Sequence, residues 1–213
     1  MQLMLFAGLR FVREPVAALA DAFRELWSSM DLRREVLELL DELADRKRRP
    51  TEPLEDLPFH VHATYSRDEI SAGLGQIRKG CLLRTQGGVF KDDACRSDIL
   101  YVTLEKDEKE FTPTTLYEDY PISPTRFHWE SQSVTRADSE TGRRYQEHAG
   151  RGWRVLLFMR QSKRDERGET MSYLFAGPVR YVSHESEKPM RIIWELEHPL
   201  PPEFFREVKV AAG

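Results

Sequence analysis

Hydrophobic positions change their period along this chain. From residue 16 to residue 49 they recur at three and four. Val16, Leu19, Ala20, Phe23, Leu26 and Trp27 fall on one face; Leu32, Val36, Leu39, Leu40 and Leu43 then repeat the spacing behind Asp31, a candidate N-cap. The pattern predicts a helical hairpin over 1–50 that ends in the basic run at 46–49. Pro50, Pro53 and Pro58 favour extended backbone, which marks 51–58 as a linker. Beyond it the period shortens towards two, and short strands are expected at 59–63, 99–104, 153–159, 172–175, 180–184 and 190–196. Between them Ser66 and Glu69 have the capping-box spacing of a helix stopped by Gly73 and Gly75. Gly87 and Gly88 read as a hairpin turn, and 141–148 as a second short helix. Many short strands with few helices predict an α+β protein: a curled, mostly antiparallel sheet or small β-barrel over 59–206, with a tail at 207–213.

The hairpin carries an apolar face with nothing of its own to cover it. It packs on the following domain or marks where a partner sits, and a homodimer is compatible with it. In a chain of 213 residues, 40% hydrophobic content suffices for a core while 32% charged residues keep the surface solvated. No apolar run reaches the roughly 20 residues of a bilayer span, and the first residues lack the pattern of a secretory signal, so a cytoplasmic location without membrane contact is expected. Cys81 and Cys95 are too few for a zinc ribbon or a disulfide framework. His60 and His62, alternating on an expected strand, lack a third ligand nearby; neither metal nor cofactor is expected.

Candidate chemistry concentrates in 114–133, TTLYEDYPISPTRFHWESQS. Tyr117, Tyr120, Phe127 and Trp129 stand there among Asp119, His128, Glu130 and Gln132. Rings with amide and carboxylate edges suit a planar heterocycle, such as a base lifted from a nucleic acid. The same alternation of Phe127, Trp129 and Ser131 against His128, Glu130 and Gln132 is also how a half-buried strand reads, and the residues leave both readings open. The net charge of -4 argues against indiscriminate polyanion binding, yet 123–168 holds ten basic side chains against six acidic. No nucleophile elbow, P-loop or helical metal motif is present. His128 beside Glu130 is a candidate acid–base pair for a small nuclease or hydrolase, without an accompanying nucleophile; binding fits the residues better than catalysis.

The runs HVHATYSRDEI, LYVTLEKDEKEFTPTTLYEDYPISPTRFHWESQS, TGRRYQEH, RVLLFMR and LFAGPVRYVSHESEKPMRIIWELEHPLP follow one another in order, and they carry a resemblance that extends over 57–205. They resemble the C-terminal domain, long catalogued as of unknown function, of bacterial type IV restriction enzymes that carry a phospholipase-D-like nuclease and a DEAD-type helicase upstream. The resemblance implies a target-recognition domain similar to SRA domains, the PUA-related barrels that flip 5-methylcytosine or 5-hydroxymethylcytosine out of DNA. The implied partners are double-stranded DNA with a modified base and a nuclease or helicase, supplied separately or by upstream domains. Nuclease and helicase motifs are missing from this chain, so cleavage and ATP hydrolysis do not carry over. A protein-interaction module that couples such a partner is the alternative.

Residue type and clustering then suggest roles. Tyr120 and Trp129, with Tyr117, would stack on the base; Asp119 would accept from the cytosine amine; Gln132 or His128 would read the ring edge. Arg126, Arg143, Arg144, Lys163 and Arg164 would contact phosphates. Tyr65 and Arg67, at a helix start, are weaker candidates. The scheme requires an open hollow walled by Tyr120 and Trp129.

Overall fold

The structure is a computed structural model that describes residues 21, 24, 27–46, 54, 56–78, 81–83, 87–105 and 119–211. The chain divides into two compact units, residues 1–60 with 65–85 and residues 61–64 with 86–213.

In the first unit, Asp21, Arg24, Trp27 and Ser28 are helical; the remainder of the first expected helix lies outside the described residues. Helix α1 (Met30–Arg46) is the second helix of the expected hairpin. Its cap is Ser29 rather than Asp31. The Ser29 hydroxyl accepts from Leu32 N–H at 3.4 Å, while Asp31 sits in the first turn, where a negative charge favours the helix dipole. Strand β1 (Thr64–Tyr65) straddles the boundary between the units. Helix α2 (Arg67–Gly73) opens with the expected capping box: Glu69 N–H donates to the Ser66 hydroxyl at 3.2 Å, and Ser66 N–H to the Glu69 carboxylate at 2.7 Å. Strands β2 (Ile77–Arg78) and β3 (Cys81–Leu82) pair with each other in a two-stranded sheet, and half of the linker expected at 51–58 falls outside the described residues. Tyr65 is structural: its hydroxyl accepts from His60 N–H at 2.8 Å, and its ring meets Phe59 edge-on.

The second unit is built on strands β4 (Val89–Asp92), β5 (Ser97–Thr103), β6 (Tyr120–Ser123), β7 (Arg126–Glu130), β8 (Arg154–Arg160), β9 (Tyr173–Glu185) and β10 (Arg191–Leu196), with helices α3 (Glu140–Glu147) and α4 (Pro202–Ala211). They form a sheet in the order β4-β5-β8-β9-β10-β7-β6, antiparallel except for β5 against β8. An α+β fold with a mostly antiparallel sheet is therefore present. Among the described residues the ladder ends on β4 at one side and β6 at the other, so the sheet is open and not closed into a barrel.

Several local expectations change. The turn of the β4–β5 hairpin lies at 93–96, not at Gly87 and Gly88. Asp92 sets it by accepting from Ala94 and Cys95 N–H at 2.8 and 3.2 Å. His62 has φ +68° and interrupts the strand expected over 59–63, although His62 N–H still donates to Phe175 O and Phe175 N–H to Ala63 O. The strands expected at 172–175 and 180–184 are one, β9. Gly177, at φ +99°, absorbs an irregularity in the β8 register, so the Gly-Pro pair bends the strand without ending it. Residues 207–211 of the expected tail belong to α4, and 212–213 lie outside the described residues.

Burial divides this sheet into two halves. Every residue of β5 and residues 155–160 of β8 are buried, as central strands covered on both faces must be, and WRVLLFM supplies the apolar run for it. On β10 burial alternates, and on β7 it alternates as far as Trp129 while Glu130, on the outer face, is also buried. Helix α3, capped by Ser139, lies close to its own N-terminal loop. A Cβ at Gly142 would collide with the carbonyl oxygens of Arg136 and Ala137.

Candidate functional site

The outer face of β6, β7 and β10 collects the polar half of the aromatic stretch. Register places Tyr120 opposite His128, His128 opposite Ile193, and Glu130 opposite Arg191. Because strand side chains alternate, Tyr120, His128 and Glu130 share this side while Phe127 and Trp129 point inward. Tyr120 is 43% exposed, and its ring stacks on His128 with centroids 4.7 Å apart and planes at 15°. Asp119 holds the start of β6 against β7 by accepting from Glu130 N–H at 3.0 Å. The face thus presents two parallel rings, the outer one exposed on the strand that is the sheet's edge among the described residues. Beside them Arg191 Nε donates to Glu130 Oε1 at 2.8 Å.

Trp129 does not belong to this surface. It is 4% exposed and packs edge-on to Tyr145 at 5.5 Å and tilted against Trp194 at 6.2 Å. Tyr181 and His148 complete the ring cluster about Trp194. The expected hollow walled jointly by Tyr120 and Trp129 is corrected: the two rings lie on opposite faces of the sheet, and Trp129 is a core residue. Tyr117 lies outside the described residues. Gln132, just past the end of β7, is exposed, and its carbonyl accepts from Thr135 N–H at 2.8 Å in a turn.

The expected phosphate contacts separate. Arg126 is exposed on the face of His128, two residues away. Arg143 is exposed on α3, its Nε donating to Asp138 O at 3.0 Å. Arg144 is buried and corrected to a structural role: its Nε and Nη2 donate to the Asp98 carboxylate at 2.7 and 3.0 Å. Burial opposes its charge, but Asp98 outweighs that and holds the guanidinium above its ordinary range. Lys163 and Arg164 are exposed in the β8–β9 loop, where Arg164 Nη1 donates to Gly168 O at 2.7 Å. That loop enters β9 at Tyr173, whereas the row containing His128 crosses β9 at Ser183, near its other end. No single small surface therefore gathers all five cations.

Arg191 and Ile193 join the face without having been singled out in the sequence. The alternation of 191–196 signals a strand, but only pairing with β7 brings them beside His128 and Glu130. That pairing also weakens the acid–base reading, since the Glu130 carboxylate is engaged by Arg191. Burial first, then Asp92, pushes the Cys95 thiol up to about 12, which disfavours its thiolate. Among the described residues no group of three or more His, Cys, Asp or Glu side chains could hold a metal ion, and no helix is long and apolar enough to cross a membrane.

No curated protein matches this chain. Residues 59–208, more than half of it, match the family described as a domain of unknown function, DUF3427. The match takes in α2, the whole open sheet and most of α4, and on that extent the chain belongs to the DUF3427 family.

Proposed function

We propose that this domain binds double-stranded DNA and reads a modified cytosine, 5-methylcytosine or 5-hydroxymethylcytosine, flipped out of the duplex. In this reading it is the target-recognition part of a modification-dependent restriction or defence system that works with a nuclease or helicase partner, cleavage being the nuclease's, and it binds without catalysing. The finer likeness of the sheet to SRA and PUA-related barrels belongs to the same proposal.

The observation that carries it is the exposed Tyr120 ring lying parallel on His128, on the strand that is the sheet's edge among the described residues. A stacked pair with one open face accepts a further planar ring, and such stacking is worth about 1–3 kcal/mol per base, enough to offset much of the cost of unstacking one. Asp119, at the head of the same strand, is the acceptor nearest in sequence for an exocyclic amine, and Arg126 and Arg143 are exposed cations on the same unit. Trp129 has no part in this version.

The test is a titration of the full chain, at fixed salt, with labelled duplexes that carry cytosine, 5-methylcytosine or 5-hydroxymethylcytosine at one position. Preference for a modified duplex, lost in Tyr120→Ala, is expected. Equal binding of all three, or none, would overturn the reading. A protein-docking role is the second reading, favoured by the exposure of Met30 and Leu37 on α1, at 69% and 46%. It predicts that no duplex binds.

A further inference from the structure

Glu130 and Arg191 form an asymmetric pair. The Glu130 side chain is 9% exposed and that of Arg191 52%, and the contact is made by Nε, the inner nitrogen of the guanidinium, at 2.8 Å. Among the described residues the two terminal nitrogens of Arg191 make no hydrogen bond, and Glu185, its register partner on β9, makes no ion pair with it. A carboxylate sunk in the sheet thus grips a guanidinium from behind and turns its outer fork towards solvent. Such an arginine has lost much of its rotamer freedom before any ligand arrives, and a planar fork suits the oxygens of a phosphate.

Its position gives the fork a use. Glu130 follows His128 by two residues on the same face, a step of about 7 Å along a strand. That is a distance one sugar can bridge between a base and its phosphate. We propose that Arg191 binds a phosphate flanking the base that stacks on Tyr120 and His128, so that the face takes a nucleotide unit, base and backbone together. Glu130 is the positioning residue behind it. This inference rests on the DNA-binding reading above.

The test follows binding of the full chain to a labelled duplex with one 5-methylcytosine, and to its unmodified counterpart, across a salt series. Arg191→Gln is expected to weaken both duplexes by the same factor and to make the slope of log affinity against log salt shallower by about 0.9, the loss of one phosphate contact. Arg191→Lys is expected to keep the slope and lose part of the affinity. Because Arg191→Gln alone strands a buried carboxylate, the double variant Arg191→Gln with Glu130→Gln is measured beside it and is expected to match its slope. If the wild-type protein prefers the modified duplex and the double variant keeps its full affinity and slope, the phosphate role is overturned while the reading of the domain stands. If the wild-type protein binds neither duplex, both are overturned.

Discussion

Arg144 and Asp98 meet in a two-point ion pair shut away from water, 46 residues apart in sequence, and the indole of Trp153 donates to the same carboxylate at 2.9 Å. The guanidinium also lies 5.4 Å from the Trp153 ring centroid. The pair fastens α3 to β5, and with it Tyr145, whose ring closes the aromatic core beneath Trp129.

Removing one member leaves the other charged and desolvated. Asp98→Ala is expected to cost about 3–5 kcal/mol of unfolding free energy. Urea denaturation monitored by tryptophan fluorescence measures this, and a loss under about 1 kcal/mol would contradict the role given to the pair.

Trp129 and Tyr120 are expected to part ways. Trp129→Ala opens a cavity among Tyr145 and Trp194 and should cost about 3–5 kcal/mol, visible as a large fall in Tm. Tyr120→Ala, at an exposed edge, should cost within about 1 kcal/mol and act on ligand binding instead. Equal losses of stability would place both rings in the core.

His62 makes stability depend on pH. Burial, then the neighbouring His198, lowers its pKa below 6.5, and its Nε2 is buried without a partner. Between the lowered folded value and 6.5 the unfolded chain binds more protons, so stability is full above 6.5 and falls as pH drops below it. His62→Asn, a residue that tolerates the positive φ at this position, should flatten the change in urea midpoint between pH 7.5 and pH 5.5. An unaltered slope would rule His62 out as a source.

Cys95 should be slow towards thiol reagents. With its thiol pushed up to about 12, almost none is thiolate at pH 8. In a Cys81→Ser background, native protein is expected to react with Ellman's reagent far more slowly than protein in urea. Comparable rates would mean that the Asp92 turn does not hold the thiol as described.

Gly142 should resist substitution, since a Cβ there runs into the carbonyl oxygens of Arg136 and Ala137. Gly142→Ala is expected to lower Tm although alanine favours helices, because the collision is with backbone that cannot rotate aside. A raised Tm would show that the helix start can shift.

Much of the local structure was legible in the residues. Ser66 and Glu69 cap a helix through bonds three residues apart, and the run 154–160 is a buried strand because it is too apolar to be anything exposed. The alternation after Arg126 also separated the two faces of β7 in advance. It did not say which face was the core. The aromatic count drew attention to Trp129, yet Tyr145 and Trp194, which enclose it, come from a helix and a strand further along the chain. Likewise nothing local tells Arg143 from Arg144: adjacent on one helix, they point about 100° apart, and only Asp98 on β5 makes the second one structural.

Periodicity, caps and charge counts are properties of near neighbours, and they were enough to determine an α+β chain with a strand-rich second part and rings gathered in its middle. Strand order, the open edges and the fate of each ring were decided by pairing between distant segments. A free energy of packing depends on what lies opposite, and for Tyr120, Trp129 and Arg191 what lies opposite is 8, 65 and 61 residues away, at His128, Trp194 and Glu130.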